Sequence, residues 1–249
     1  MLNSIKRSVS GLMAQVQRLT VVGNNIANAT TPGFKRSEGS FSELLMVELD
    51  HASTPLKPES PKDVPHGVEY TPQVLFTQGS LVPTNRSLDI ALEGSGFIEL
   101  QDNTGKPVYV RGGSFTLDAV GRIVHSSGAV IPRIQIDPEA SAISIDPTGE
   151  IAITHAGEVV VLGAIRLVEF ANPSGLESPG HGQYVPSENS GPQTPSKSTQ
   201  VHQGHVETSN VSLADEMTSL IRAQRAYQIN AKSIKLLDEM WEKTNTIRR

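Results

Sequence analysis

The sequence predicts an α+β fold in which long amino- and carboxyl-terminal helices pair as a coiled coil, with a β-rich middle domain inserted between them. Three features carry that expectation. Apolar residues recur at alternating steps of three and four at both ends of the 249-residue chain. The middle alternates short apolar runs with Asp-x-x-Gly turns, and Pro-rich stretches lie at its flanks. The expected division is 1–36 plus 205–249 for the helical domain, 37–84 for an extended linker and hairpin region, and 85–204 for the β-rich domain.

The amino-terminal helix is read from Leu2, Ile5, Val9, Leu12, Val16, Leu19, Gly23 and Ile26, which draw one narrow apolar seam with a/d spacing. Its stop is Thr30-Thr31-Pro32-Gly33, because a Pro biases the residue before it out of the helical region. At the other end Leu213, Met217, Leu220, Gln224, Tyr227, Ala231 and Ile234 repeat the spacing, and the seam then shifts to Leu237, Trp241 and Thr244. Ser209 or Asn210 is the expected cap of a helix starting at Val211, with Asp215 and Glu216 suiting its positive end. The helices are expected to run roughly 40 and 50 Å. Seams of that length favour terminal helices pairing with each other over separate helices lying on a globular domain.

Between them, strands are expected at Glu69–Gln78, Leu88–Leu92, Phe97–Gln101, Val108–Arg111, Ser114–Leu117, Ile123–His125, Ile143–Ile145, Ile151–Thr154, Val159–Leu162 and Ile165–Phe170. Asp102–Gly105, Asp118–Gly121 and Asp146–Gly149 read as hairpin turns, Asp opening a type I turn and Gly taking a positive φ. They lack the alternating ligands of a calcium loop. Residues 50–66 and 172–199, with their repeated Pro, read as extended linkers or surface loops.

Composition narrows the function. Aromatics are 4%, so the core is expected to be aliphatic and thin. There is no Cys, which excludes disulfides, thiolate metal sites and Cys nucleophiles. No apolar run approaches the roughly 18 residues of a membrane span. The first thirty residues are too polar for a cleavable secretory signal, so an exported chain is expected to keep them. Residues 1–36 carry five basic residues and no acid, whereas 37–204 carry nine basic and twenty acidic residues, so copies can attract one another end to middle. Five charges with one aromatic, Phe34, make no nucleic-acid module. No catalytic constellation emerges. Gly94-Ser95-Gly96 fits neither a nucleophile elbow nor a dinucleotide loop. His202, His205 and Glu207 lie in a polar stretch ahead of a helix and are read as solvated rather than metal-binding. No cofactor, metal or catalytic residue is expected.

Two long motifs carry a resemblance. The stretch from Val22 to Arg36, with Asn24-Asn25-Ile26-Ala27-Asn28 and Thr31-Pro32-Gly33-Phe34-Lys35-Arg36, resembles the amino-terminal motif of the bacterial flagellar rod and hook family. Gln203 to Val211, followed by Glu216-Met217 and Ala223 to Asn230, is similar to that family's carboxyl-terminal motif. Gly94 to Phe97 and Arg111 to Asp118 look like its first β-domain. The stretches Gly175 to Ser178 and Val206 to Val211 are most similar to distal-rod members, although His205 stands where an aromatic is usual.

The resemblance implies a non-enzymatic structural subunit, exported unfolded by the flagellar type III route. It implies stacking into a helical homopolymer around a central channel, with the terminal helices inside and the β-domain outside, as the shaft that carries motor torque to the hook. Implied partners are further copies, other rod and hook proteins, the L- and P-ring bushing where the cell has one, and the export apparatus. The implied location is the basal body, outside the cytoplasmic membrane. The residues assigned to assembly contacts are Asn24, Asn25, Asn28, Pro32, Gly33, Phe34, Asn210, Gln224, Arg225, Tyr227 and Asn230. The alternatives are a proximal-rod paralogue and, outside the family, a binding protein or enzyme with its β-domain on a helical stalk.

Overall fold

The computed structural model describes residues 2–47, 63–136, 142–155, 158–196 and 198–247. Most of the Pro-rich stretch at 50–66 lies outside them. In chain order two long helices, α1 (Leu2–Ala27) and α2 (Leu213–Ile247), precede and follow a β-rich middle. The strands are β1 (Ser37–Val47), β2 (Asp63–Val74), β3 (Leu81–Pro83), β4 (Asp89–Glu93), β5 (Phe97–Gln101), β6 (Pro107–Val110), β7 (Gly112–Leu117), β8 (Arg122–His125) and β9 (Val130–Gln135). They continue as β10 (Ala142–Ile145), β11 (Glu150–His155), β12 (Glu158–Ala164), β13 (Leu167–Phe170), β14 (Glu177–Gly180), β15 (Gln183–Val185), β16 (Gln193–Pro195), β17 (Gln200–Gln203) and β18 (His205–Glu207).

The chain divides into two compact units. One comprises Met1–Ala27, Ser37–Gln73 and Ser212–Arg249. In it α1 packs on α2, and the two-stranded ribbon β1–β2 lies against α1. Phe41 and Tyr70 face each other across the ribbon with ring centroids 5.1 Å apart, and the Arg18 guanidinium sits 5.8 Å from the Phe41 ring. Gly39 is required here: a Cβ would stand 2.5 Å from Tyr70 Cζ, so the ring covers the gap the glycine leaves.

The other unit comprises Asn28–Arg36 and Val74–Val211. All ten expected strands of the middle have an observed counterpart, β2, β4–β8 and β10–β13, though their bounds move by a few residues. The three hairpin turns close as expected. Gly105, Gly121 and Gly149 donate to the carbonyls of Asp102, Asp118 and Asp146 at 2.8, 3.0 and 2.9 Å, each glycine at φ between +81° and +87°.

Period-2 alternation splits the core into two clusters. Ile98 and Leu100 of β5, with Val108 and Val110 of β6, join a mainly aliphatic cluster that includes Ile90, Leu92, Phe115 and Ile123. The intervening Phe97 and Tyr109 join Phe170, Leu176 and Tyr184 on the other face. That second cluster corrects the expectation of a purely aliphatic core. The chain has eleven aromatic residues, and five of them (Phe76, Phe97, Tyr109, Phe170 and Tyr184) meet edge to face with centroids 5.0–5.8 Å apart. Concentration in one place gives a sparse residue type a core of its own.

The Pro-rich segment 172–199 also departs from the expected loop. It folds back through two single-turn 3₁₀ helices and β14–β16, burying Leu176 and Tyr184. Pro punctuates the segment, but the apolar residues between the prolines have a partner cluster to cover.

Candidate assembly site

The residues leaving α1 and those approaching α2 are held in place by side chains that bond to backbone. Within the helical unit Asn25 is 1% exposed, and its amide clamps Ser37: Nδ2 donates to Ser37 O at 2.8 Å, and Ser37 N donates to Oδ1 at 2.9 Å. Within the β-rich unit, residues 28–36 begin with a tight turn. Thr31 N donates to Asn28 O at 3.1 Å and Phe34 N to Thr31 O at 3.3 Å. Pro32 has no amide to satisfy, and Gly33 takes φ +71°, a conformation costly for other residues. Gly33 N then donates to Glu207 O at 2.7 Å, joining the two family-like motifs.

Asn210 was an expected helix cap, but it does not cap α2. The helix starts at Leu213, and Ser212 O accepts from Glu216 N. The Asn210 side chain instead accepts from Arg36 N at 2.7 Å and donates to Leu75 O at 2.9 Å and to Thr77 Oγ1 at 2.8 Å. Leu75 N donates to Arg36 O, completing the tie.

Beneath this tie lies a buried charge cluster. Lys35 and Glu207 are each 2% exposed. Lys35 Nζ donates to Glu207 Oε1 at 2.7 Å and to Thr77 O at 2.9 Å, and Gly79 N donates to the same carboxylate oxygen at 2.8 Å. Arg111, also buried, spends Nη1 and Nη2 on the carbonyls of Gly96 and Gly94 at 2.5 and 2.7 Å, and its guanidinium lies 5.6 Å from the Phe97 ring. Its Nε stands 3.8 Å from Glu207 Oε2, and neither atom has a hydrogen-bond partner among the described residues. Burial pulls the pKa of Lys35 below its ordinary value, against the opposing hydrogen bond and charge of Glu207. Burial likewise raises that of Tyr184, whose surroundings include Arg111 and Glu207. One carboxylate therefore serves two buried cations. The cluster is a brace: its charged groups are buried and turned on one another and on backbone.

The structure brings Gly33 and Asn210 together around this brace, with Asn28 and Phe34 in the turn beside it and Pro32 exposed. Asn24 is exposed near the end of α1. Gln224, Arg225 and Tyr227 lie exposed on α2, and Asn230 is half-buried, its Nδ2 3.9 Å from where a Cβ on Gly11 would stand. Sequence reading missed Lys35, Arg111 and the role of Glu207. In the sequence Lys35 is one of five basic residues in 1–36, and Glu207 stands beside His202 and His205. Instead Glu207 turns inward, His202 Nε2 bonds Glu93 Oε2 at 2.7 Å, and His205 Nδ1 bonds Gln203 O at 2.8 Å.

The faces of the helices are the second part of the site. Among the residues whose burial is described, Ala14, Val22 and Asn25 are the buried ones of α1, and Glu216 and Ala223 those of α2. Each expected seam is covered only in part, and Leu2, Ile5, Leu237 and Thr244 lie outside the residues whose side chains are described. Val9, Val16, Leu213, Met217 and Tyr227 are exposed, as are Met13 and Ile221, while Leu12, Leu19, Leu220 and Ile234 are half-buried. Small residues let the helices meet, and much of the large apolar surface remains outside.

Three family models match in chain order. The model described as flagella basal body rod protein covers residues 5–35, the flagellar hook protein FlgE/F/G D1 domain covers 91–153, and the flagellar basal body rod FlgEFG protein C-terminal model covers 202–247. The flagellar basal-body rod protein FlgG of Buchnera aphidicola from Acyrthosiphon pisum is 38% identical, covering 99% of this chain and 100% of its own length. The FlgG of Borreliella burgdorferi is 34% identical over the whole of both chains. The FlgF of Caulobacter vibrioides is 35% identical over 92% of this chain and 91% of its own. The chain belongs to the flagellar basal-body rod protein family. A basal-body rod protein is a structural component and not an enzyme, so the brace and the helix faces are to be read as fold and assembly chemistry. The amino- and carboxyl-terminal rod models include both sides of the brace, with Lys35 in one and Glu207 in the other. No helix among the described residues is long and apolar enough to cross a membrane.

Proposed function

We propose that this chain is a distal-rod subunit that polymerises helically around a central export channel and carries motor torque to the hook. α1 and α2 pair as a coiled coil and, stacked with those of neighbouring copies, form the inner tube, and residues 85–204 form the outer layer. The subunit reaches the cell envelope outside the cytoplasmic membrane through the flagellar type III apparatus, without signal cleavage. There it meets other rod and hook proteins and, where present, the L- and P-ring bushing. The observation that carries this reading is the large apolar surface left exposed on two helices of 26 and 35 residues. Exposed apolar surface on that scale calls for covering partners. Full-length similarity to FlgG relatives favours the distal over the proximal rod.

The test is electron microscopy of the purified chain over a concentration series, paired with complementation of a strain lacking its distal-rod gene. Rods that lengthen with concentration, together with restored motility, support the reading. A chain that stays monomeric at every concentration and restores no motility refutes it.

A further inference from the structure

The three-stranded sheet β10–β11–β12 ends on β12, whose outer edge has no ladder partner among the described residues. Val159, Val160 and Val161 of that strand are 71%, 45% and 54% exposed. Successive residues of a strand point to opposite faces, so three adjacent exposed valines leave both faces of β12 uncovered. Natural sheets blunt their edges with short strands, Pro or charge. β3, β14 and β16 follow that rule, with three or four residues each and Pro83, Pro179 and Pro195 among them. β12 has seven residues, with no Pro and no Lys.

A cleft of about 830 Å³ adjoins the carboxyl half of β12. It lies in a fork of the large sheet: β13 pairs with β5 at Leu167↔Ile98, and β9 pairs with β5 only at Gln101↔Val130. Ile131 and Ile134 supply apolar lining, and Arg133 and Arg166 supply charge. Arg133 holds φ +65°, is exposed, and its guanidinium has no partner among the described residues. Arg166 is 65% exposed and pairs with Glu99 at 3.2 Å. The cleft thus offers two guanidinium groups against one carboxylate.

We propose that the β12 edge and this cleft dock an extended acidic stretch of a second copy of this chain. The choice of a copy rests on the rod-subunit reading and on charge, since residues 37–204 carry twenty acids against nine basic residues. The docked stretch continues the β12 ladder, covers the valines and places carboxylates at Arg133 and Arg166. The contact joins two different surfaces, so it repeats along an open polymer rather than closing a dimer.

The test is amide hydrogen exchange of residues 158–164 in the full chain across a concentration series, read beside electron micrographs. Exchange is expected to slow about tenfold or more as polymers appear. Val159→Lys with Val161→Lys, and separately Arg133→Glu, are each expected to raise the polymerisation threshold about tenfold, with the thermal melt of the β-rich unit unchanged for Arg133→Glu. If the double variant misfolds, Arg133→Glu decides, because its side chain is exposed and has no partner among the described residues. Polymers that form without protection of 158–164 overturn this inference and leave the rod reading intact. If no polymer forms at any concentration the rod reading fails; concentration-dependent protection of 158–164 in smaller oligomers then sustains the docking site, and its absence overturns that too.

Discussion

Replacing Glu207 by Gln removes the carboxylate that, among the described residues, faces both Lys35 and Arg111 in the brace. The Gln keeps the shape, and its amide oxygen can still accept from Lys35 Nζ and Gly79 N, now 2.7 and 2.8 Å from Oε1. What disappears is the charge, leaving two buried cations uncompensated. Breaking one buried pair costs about 3–5 kcal/mol. Lys35→Met is the milder change. It leaves Glu207 with Gly79 N and with Arg111 3.8 Å away, and Thr77 O keeps Asn210 Nδ2 at 3.1 Å. The expected order of destabilisation is therefore Glu207→Gln above Lys35→Met, with the first at the upper end of that range. In a chain of this size each kcal/mol lowers Tm by about 2–4 °C, so Glu207→Gln is expected to lower the melting of the β-rich unit by roughly 10–20 °C. The assay is thermal and urea unfolding followed by the strand signal in circular dichroism and by tyrosine absorbance. The double variant is expected to be less destabilised than the two single losses added together, by about 1–3 kcal/mol, because its second change removes a charge the first has orphaned. A loss below about 1 kcal/mol for Glu207→Gln, or full additivity, refutes the brace as an energetic unit.

Three further outcomes are expected. Burial lowers the pKa of His125 from its ordinary 6.5, so the unfolded chain takes up that proton first and the folded unit loses stability as pH falls below about 6.5 through the folded value; urea melts at stepped pH show this slope, and His125→Gln flattens it. Gly79→Ala sets a Cβ 2.0 Å from Thr208 O and must displace the strand beside the brace, with an expected cost of about 2–4 kcal/mol read by the same melts. Exchanging Pro32-Gly33 for Ala-Ala forces a side chain onto φ +71° and lets α1 run on, so the protein is expected to be made but to support neither rods nor motility, as swimming assays and micrographs of basal bodies report.

Local signals were the most legible part of this chain. Asp118 and Gly121, three residues apart, carry all the chemistry their turn needs, and Gly121 adopts φ +82° accordingly. The strands of β5 and β6 announced themselves through alternation. The brace was not legible, because Lys35 and Glu207 stand 172 positions apart and a buried lysine looks like a surface one in a list of charges. Asn210 shows the same difficulty on a smaller scale. An Asn one turn before a helix is ordinary capping chemistry, and only the nearness of Leu75 and Thr77 in space reveals that its amide is already committed. The Pro-rich segment misled for a related reason: nothing between Pro173 and Pro195 indicates that Tyr184 meets Phe76 and Phe97.

The seams are the most informative partial departure: α1 packs on α2 as expected, but several residues of each stripe stay exposed. A stripe at steps of three and four states that a helix needs an apolar neighbour along that line, but not which chain supplies it. α1 packs on α2 with Asn230 beside Gly11, Ala14 and Ala223 are the buried apolar residues nearest those positions in sequence, and small side chains bury little area at roughly 25 cal/mol per Å². Val9, Met13, Val16, Met217 and Ile221 stay in solvent. A helix pair held by small residues, with its larger apolar residues outward, has its strongest available contacts still unmade. That division suits the polymerising subunit proposed above. It also separates two kinds of substitution. Ala223→Leu overfills the contact within the chain and is expected to disturb the helix pair of the free monomer. Val16→Asp leaves that pair intact and removes apolar surface that only a neighbour can cover, so it is expected to block polymerisation with the monomer's helix content unchanged. If Val16→Asp instead lowers the helicity of the dilute monomer and Ala223→Leu does not, the faces have been assigned the wrong way round and the seam belongs inside the chain.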